Sequence, residues 1–496
     1  MRLRIVALVL AGCASETTDP NDEPRVRDVP GYRLERMYAA RGQSGRVHVG
    51  GFEGAAPAGS IVEIVTLNGT SSAATDTRGR FRTSLDTNEA SVTLRIGDLE
   101  ESFRVRDQGA FTRARRAPIS GLGSVPNDVL VDPDGSIAVA RSQDNAVGLI
   151  EPNGELGVGV RLPDSDGTPP RKANPWFLAE LGEKRVAVTA YGQSKVYVVD
   201  LSSSRVESSY SLEHEIPLAS PFELTRPFDV DDDGQAESTI TAFRPRGAQG
   251  LAVTDDFVLA TFTSVFAAGV GADLPVVLPG VLARWSRASP SRAPETIVLD
   301  ALNPQEVRVS PRGTAWVVCS GALARVGDPT RALTPGAVFE VGFDGELRVV
   351  RKLDLDDFAP SSAVELEGQL LVSSLVLGRV RSIPLDAPEN AATININELP
   401  VDSIFRLTPI LGSLALVPSF NSDRLHVIDL VSGELDPPPF FEPLIIGEGG
   451  SFLSGLQVVA TRPGRAGVDF TGPDLFALLG LASEVVPIEL RKVLGP

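Results

Sequence analysis

Histidine, cysteine, methionine and tryptophan are almost missing from this chain. Its 496 residues include three His, two Cys, two Met and three Trp. The three histidines, His48, His214 and His426, stand far apart. A histidine-based zinc site, or a Ser-His-Asp triad with a recognisable signature, therefore finds little support. Gly-rich phosphate loops, the Gly-x-Ser-x-Gly elbow and Cys-x-x-Cys are absent too. Positive charge is short: 46 Lys and Arg face 64 Asp and Glu, a net charge of −18. Phosphate backbones and anionic lipid surfaces would be repelled, so nucleic acid is excluded as a partner. No apolar run, at the N-terminus or beyond it, reaches the roughly 20 residues of a membrane span. What is plentiful is Gly (47) and Pro (38), which implies frequent turns and few helices.

The N-terminus begins Met1-Arg2-Leu3-Arg4, followed by the apolar Ile5-Val6-Ala7-Leu8-Val9 and then Leu10-Ala11-Gly12-Cys13. Two arginines, a short apolar stretch and small residues make a secretory signal over 1–12. The cysteine at the cleavage point resembles a bacterial lipobox. That resemblance implies a lipidated Cys13 and membrane attachment through the lipid. Ala14 follows it, which in Gram-negative lipoproteins is associated with the outer membrane, at its periplasmic face or the cell surface. If Cys13 is acylated, Cys319 has no disulfide partner and reads as a small buried hydrophobe in the apolar run Ala315–Cys319. Residues 13–42, polar, acidic and Pro-containing at their start, read as a flexible tether.

Residues 43–107 alternate as short strands, for instance Arg46-Val47-His48-Val49 and Ser91-Val92-Thr93-Leu94-Arg95-Ile96, which predicts a small β-sandwich. The stretch from Pro57 to Phe81, with Thr75-Asp76-Thr77-Arg78-Gly79-Arg80-Phe81, resembles carboxypeptidase-regulatory-like and bacterial Ig-like modules. From 115 to 496 a strand unit recurs at intervals of about 45–70 residues, a spacing of propellers or solenoids. Its clearest copies run Asn174-Pro175-Trp176 to Lys195-Val196-Tyr197-Val198-Val199-Asp200-Leu201, and Phe405 to Asp423-Arg424-Leu425-His426-Val427-Ile428-Asp429-Leu430. These resemble the YVTN repeats of bacterial β-propellers. The expectation is an all-β chain: a sandwich followed by a propeller of about seven blades, or six if the C-terminal segment is not one. A strand from residues 110–120 should complete the last blade, because an open edge would stay unpaired.

The sharpest local motif is Asp229-Val230-Asp231-Asp232-Asp233-Gly234-Gln235-Ala236-Glu237. Carboxylates at positions 1, 3, 5 and 9, with Gly at 6, can fold several oxygens onto one point, as Ca²⁺ requires. The expected ligands are Asp229, Asp231, Asp233, the Gln235 carbonyl and Glu237, in a structural role. Position 12 is Ile240, so the bidentate Glu of a full EF-hand is missing. A second set, Asn127, Asp128, Asn174, Asn303 and Glu306, stands at blade starts, where side chains converge on a propeller axis. Asn127-Asp128 with Val131-Asp132-Pro133-Asp134-Gly135 resembles part of the gluconolactonase family, which implies an axial catalytic metal. Trp176, Trp285 and Trp316 fall in three different blades and read as core packing before a sugar-stacking surface. Together these features favour a non-catalytic binding or scaffold module for a protein or glycan. The alternative is a calcium-dependent, lactonase-like hydrolase.

Overall fold

The computed structural model describes residues 31–123, 125–165, 170–231, 233–267, 274–325, 330–396, 402–447, 454–462 and 474–496. The signal segment and Cys13 lie outside them. Among the described residues no helix is long and apolar enough to cross a membrane.

The first unit is a pair of four-stranded sheets. One orders Phe81–Leu85, Val47–Gly51, Met37–Arg41 and Arg106–Asp107; the other orders Gly69–Ala74, Ile61–Thr66, Ser91–Ile96 and Leu99–Arg104. Val47, Val49, Val62, Ile64, Val92, Leu94 and Phe103 bury the alternate side chains between the sheets. The Asp76–Phe81 turn shows why its motif is spelled as it is. The Asp76 carboxylate accepts the N–H groups of Arg78 and Arg80 at 2.9 and 3.0 Å. Gly79 sits at φ +74, and a Cβ there would lie 2.0 Å from the Ala56 carbonyl.

The tether ends earlier than its sequence suggests. Met37–Arg41 is a strand, paired along its whole length with Val47–Gly51. Its period-two alternation serves two cores: Met37 and Ala39 face the sandwich interior, while Tyr38 and Ala40 face the propeller. Phe52 and Phe111 join the same propeller cluster beside Phe440. The sandwich and the propeller therefore share a hydrophobic seam.

The rest of the chain is a β-propeller. Seven sheets, blades 1–7, follow one another among the described residues, beginning with Pro126–Val131, Pro175–Gly182, Ala248–Val253, Pro304–Val309, Pro360–Leu366, Thr408–Pro409 and Leu456–Thr461. These innermost strands contact one another in cyclic order, and the last meets the first. Runs such as Arg185-Val186-Ala187-Val188-Thr189-Ala190 and Gln369-Leu370-Leu371-Val372 are apolar at successive positions because both blade faces are covered. Val186 and Val188 pack toward blade 1 and Ala187 toward blade 3; Leu370 and Val372 pack toward blade 4 and Leu371 toward blade 6. Closure falls where expected. Blade 7 holds three strands, and residues 115–119 bridge its outer edge antiparallel, Arg115 opposite Ile488 and Ile119 opposite Val485. The Arg116 guanidinium pairs with buried Glu489 beside that join.

The two ends of the blades differ. Among the described residues three hairpins are inserted at one end: Ile216–Phe228 with Glu237–Phe243, Val265–Ala267 with Val276–Val277, and Leu323–Arg325 with Thr330–Ala332. The sandwich meets blade 6 at the opposite end, where Arg82 pairs with Glu434 at 2.8 Å. There the blade's first turn, at Gly412, comes so close that a Cβ would lie 2.9 Å from the Glu53 carbonyl.

Candidate functional site

Among the places that gather charge are the propeller axis and a groove on the hairpin-bearing end. At the axis, the inner strands of blades 1 and 4 supply Asp128 and Glu306 with Arg308, and the segment entering blade 6 supplies Arg406. Arg406 donates to Asp128 at 2.8 Å and lies 3.5 Å from Glu306, while Arg308 donates to Glu306 at 2.7 Å. The second oxygens are also taken: Leu178 N–H donates to Asp128 at 2.9 Å and Ala363 N–H to Glu306 at 3.1 Å. Arg308 also donates to the Leu407 carbonyl at 3.0 Å, and the Phe177 ring lies under Arg406. Burial raises the Asp128 carboxyl above its ordinary value, against the opposing pull of Arg406 and the N–H groups of Leu178 and Val129. Two carboxylates and two guanidiniums thus brace blades 1, 4 and 6 across the axis.

The asparagines expected at this axis are spent locally. Asn127 donates to Ser142 Oγ at 2.8 Å, and Ser142 in turn donates to Asn174. Asn303, buried, donates to Ser320 Oγ at 2.8 Å. Asn174 and Asn303 hold φ near +53 and +56, at the entry to their inner strands, a backbone region asparagine tolerates. The segment resembling gluconolactonases is split between the two ends of one strand. Asn127 and Asp128 sit at its start, and Asp132 and Asp134 form the turn at its far end, where Asp134 bonds Ser136 and Lys184.

The groove has a volume of about 1090 Å³. Its walls are the Tyr191–Lys195 turn of blade 2 and the Ile216–Phe243 hairpin, with Glu213, Glu215, Arg244 and Arg246 between them. Ser194 ties the walls by donating to the Pro245 carbonyl at 2.9 Å. Lys195 pairs with Glu213 at 2.9 Å, and Arg244 stands 4.0 Å from Glu215 with both side chains more than half exposed. Tyr191 lies against half-buried Trp176 at 5.2 Å, and Arg246 over the Phe266 ring. Trp285 and Trp316 are fully buried, the latter donating to Glu365 at 2.7 Å.

The acidic motif is the turn of that same hairpin, at one end of the groove. Asp229, Asp231, Asp233 and Glu237 each bring a carboxylate oxygen within 4.8 Å of the others. Asp229 accepts the N–H groups of Asp233 and Gly234 at 3.1 and 2.8 Å, and Gly234 supplies φ +87. Glu237 accepts the Val230 N–H at 2.9 Å. Gln235 donates its own N–H to Asp233 at 2.7 Å. Four convergent hard oxygens fit a divalent cation such as Ca²⁺.

No protein-family model matches the sequence, and no curated protein matches it. Among solved structures the chain is similar to a streptogramin B lyase, at 10% identity and TM-score 0.49, covering 75% of this chain and 95% of that one. It is similar to virginiamycin B lyase from Staphylococcus aureus, at 10% identity and TM-score 0.48, covering 76% and 98%. Hydrazine synthase of Kuenenia stuttgartiensis is similar at 12% identity and TM-score 0.49, covering 73% and 95%.

Sequence reasoning missed the cations. Arg308 and Arg406 lie on strand-like runs, Glu306-Val307-Arg308 and Phe405-Arg406-Leu407. An arginine flanked by apolar residues at a blade start is the signal that could have marked them. His426 is a buried strand residue whose Nδ1 lies 2.8 Å from Asp436. His48 is half-buried against Phe441 at the seam between the units. Cys319 is fully buried, and burial raises its thiol far above the ordinary range.

Proposed function

We propose that this chain is a binding lipoprotein of the cell envelope. In this reading an acylated Cys13 anchors it, in the outer membrane, and the propeller groove receives a protein or glycan without catalysis. One observation carries the reading: the axis is crossed by paired charges, whereas the large polar groove lies off-axis on the blade end away from the sandwich. An axial metal of the lactonase type needs several oxygens free to turn on one point. Here Arg406 stands between the two axial carboxylates. A Ca²⁺ ion held by Asp229, Asp231, Asp233, Glu237 and the Gln235 carbonyl would stiffen the hairpin that walls the groove.

The test is capture from envelope extract by the full chain, wild type against Tyr191→Ala/Arg244→Glu. Partners recovered with wild type and lost with the variant are the expected result. Equal recovery with both overturns the groove as the binding site. Cys13→Ala, fractionated from the native host, should leave the membrane pellet; retention there to the wild-type extent would remove the anchor from the proposal.

A further inference from the structure

The hairpin beside the groove leaves one strand edge open. Among the described residues its two strands pair only with each other, as a sheet of two. The long strand Ile216–Phe228 is guarded. It carries Pro217, Pro221 and Pro227, which lack an N–H. It also lies along the Val276–Val277 strand, with Thr225 donating to the Pro275 carbonyl at 2.7 Å. The partner strand reads Glu237-Ser238-Thr239-Ile240-Thr241-Ala242-Phe243. It has no proline, lysine or arginine, and three of its seven residues are β-branched. Exposed edges are normally blunted by those guards, because a free edge recruits further strands. This unguarded edge lines the groove along most of its length.

The ladder fixes which groups face outward. Pro217 stands opposite Ala242 and has no N–H to give, so that pair is not one that exchanges two bonds. The register shifts twice along this ladder, with the extra residues on the long strand, so it is the alternation along Glu237–Phe243 itself that turns the N–H and C=O groups of Ser238, Ile240 and Ala242 away from the long strand, toward the groove. Charge is graded along the same line. Asp231 and Glu237 stand at one end; at the other Arg244 and Arg246 outnumber Glu215, which lies 4.0 Å from Arg244. Seven strand residues separate these poles by about 23 Å at about 3.3 Å per residue. A divalent cation on the four carboxylates of the turn would still leave that end negative.

We infer that the groove binds an extended peptide as a third strand beside Glu237–Phe243, antiparallel to it, with an acidic side chain near its N-terminal end and a basic one near its C-terminal end. This deepens the binding reading above and rests on it. Main-chain bonds to Ser238, Ile240 and Ala242 would supply affinity, and the charged poles direction. Antiparallel pairing is the more stable ladder, and it places the peptide's acidic end at Arg244.

The experiment uses the full chain in detergent and fluorescence anisotropy of labelled heptapeptides. The probes are Glu-Val-Thr-Val-Thr-Val-Lys, its charge-reversed form Lys-Val-Thr-Val-Thr-Val-Glu, and the first peptide N-methylated at alternate residues. The first should bind at least tenfold more tightly than the second, and N-methylation in the bonding register should abolish binding. Ser238→Pro/Ala242→Pro, which removes two outward N–H groups, should weaken the first peptide about tenfold with Tm retained. Should that variant fail to fold, the N-methylated peptides decide on wild type alone. Equal binding of methylated and parent peptides overturns the inference, as does absence of binding up to about 1 mM. Displacement of captured partners by chitohexaose, with no peptide binding, would keep the groove as the site and reject the added strand.

Discussion

The axis and the groove hold the same kinds of side chain, carboxylates facing Arg or Lys, and differ in what surrounds them. At the axis, Asp128 and Glu306 are almost wholly buried, and each oxygen meets a guanidinium or a backbone N–H. In the groove, Arg244, Glu215 and Glu213 keep more than half of their side chains in water, and Lys195 is half-buried. A buried charge must be satisfied by the protein itself and is then fixed in place. An exposed pair is worth little to stability and can exchange one partner for another. Charge at the axis builds the ring; charge in the groove is free to meet a ligand.

The comparison can be broken at its strong end first. Arg406→Met leaves Asp128 and Glu306 without their shared cation, and should cost about 3–5 kcal/mol of stability. Urea denaturation checks this. A loss under 1 kcal/mol would mean that the axial network is incidental, and the contrast with the groove would collapse. The acidic turn comes next. For a site in the range of about 10⁻⁴–10⁻³ M, Ca²⁺ at tenfold to hundredfold excess should add about 1.4–2.7 kcal/mol. Thermal melting in Ca²⁺ against chelator reads the shift, and Asp231→Ala/Asp233→Ala should abolish it. Identical shifts in both proteins would place the ion elsewhere.

A smaller effect sharpens the middle ground, where a charge is exposed yet held. Burial alone would raise the Asp134 carboxyl, but bonds from the Ser136 hydroxyl and N–H and from Lys184 outweigh it and hold it down to about 2. Because the folded value lies below the ordinary one, the contribution is present at neutral pH and is lost as pH falls from about 4 toward 2. In Asp134→Asn the acid limb of the Tm profile should flatten; an unchanged limb would show that the turn's bonds carry no stability. The smallest change belongs to the groove. Lys195→Ala should alter stability by no more than about 0.5 kcal/mol. A large loss in denaturant would make the groove a structural element like the axis.

Much of the ring was legible. Lys195-Val196-Tyr197-Val198-Val199-Asp200 is a strand because β-branched and aromatic residues run between turn residues, and it is one in the structure. The closing segment at 115–119 was legible too, since an unpaired last blade edge needs a partner and the chain supplies one just before blade 1. Met37–Arg41 was missed. Met-Tyr-Ala-Ala-Arg follows an acidic, Pro-containing stretch, and its apolar character on both faces has meaning only when two cores flank it. The acidic turn was legible as a spacing of carboxylates, but its place at the mouth of a groove was not.

By itself the sequence determined what depends on near neighbours: strand periods, the glycine turns at Gly79 and Gly234, the convergence of Asp229, Asp231, Asp233 and Glu237, and a repeat that can bury its faces only in a ring. Tertiary structure alone decided which charges became partners. Asp128, Glu306 and Arg406 are separated by 178 and 100 positions along the chain, and no local pattern couples them. Ring closure brings them to one axis and removes the water, and low polarity then forces each to find its counterion. The same closure leaves the Glu237–Phe243 edge outside the ring, facing a groove that exists only because blade 2 stands beside it.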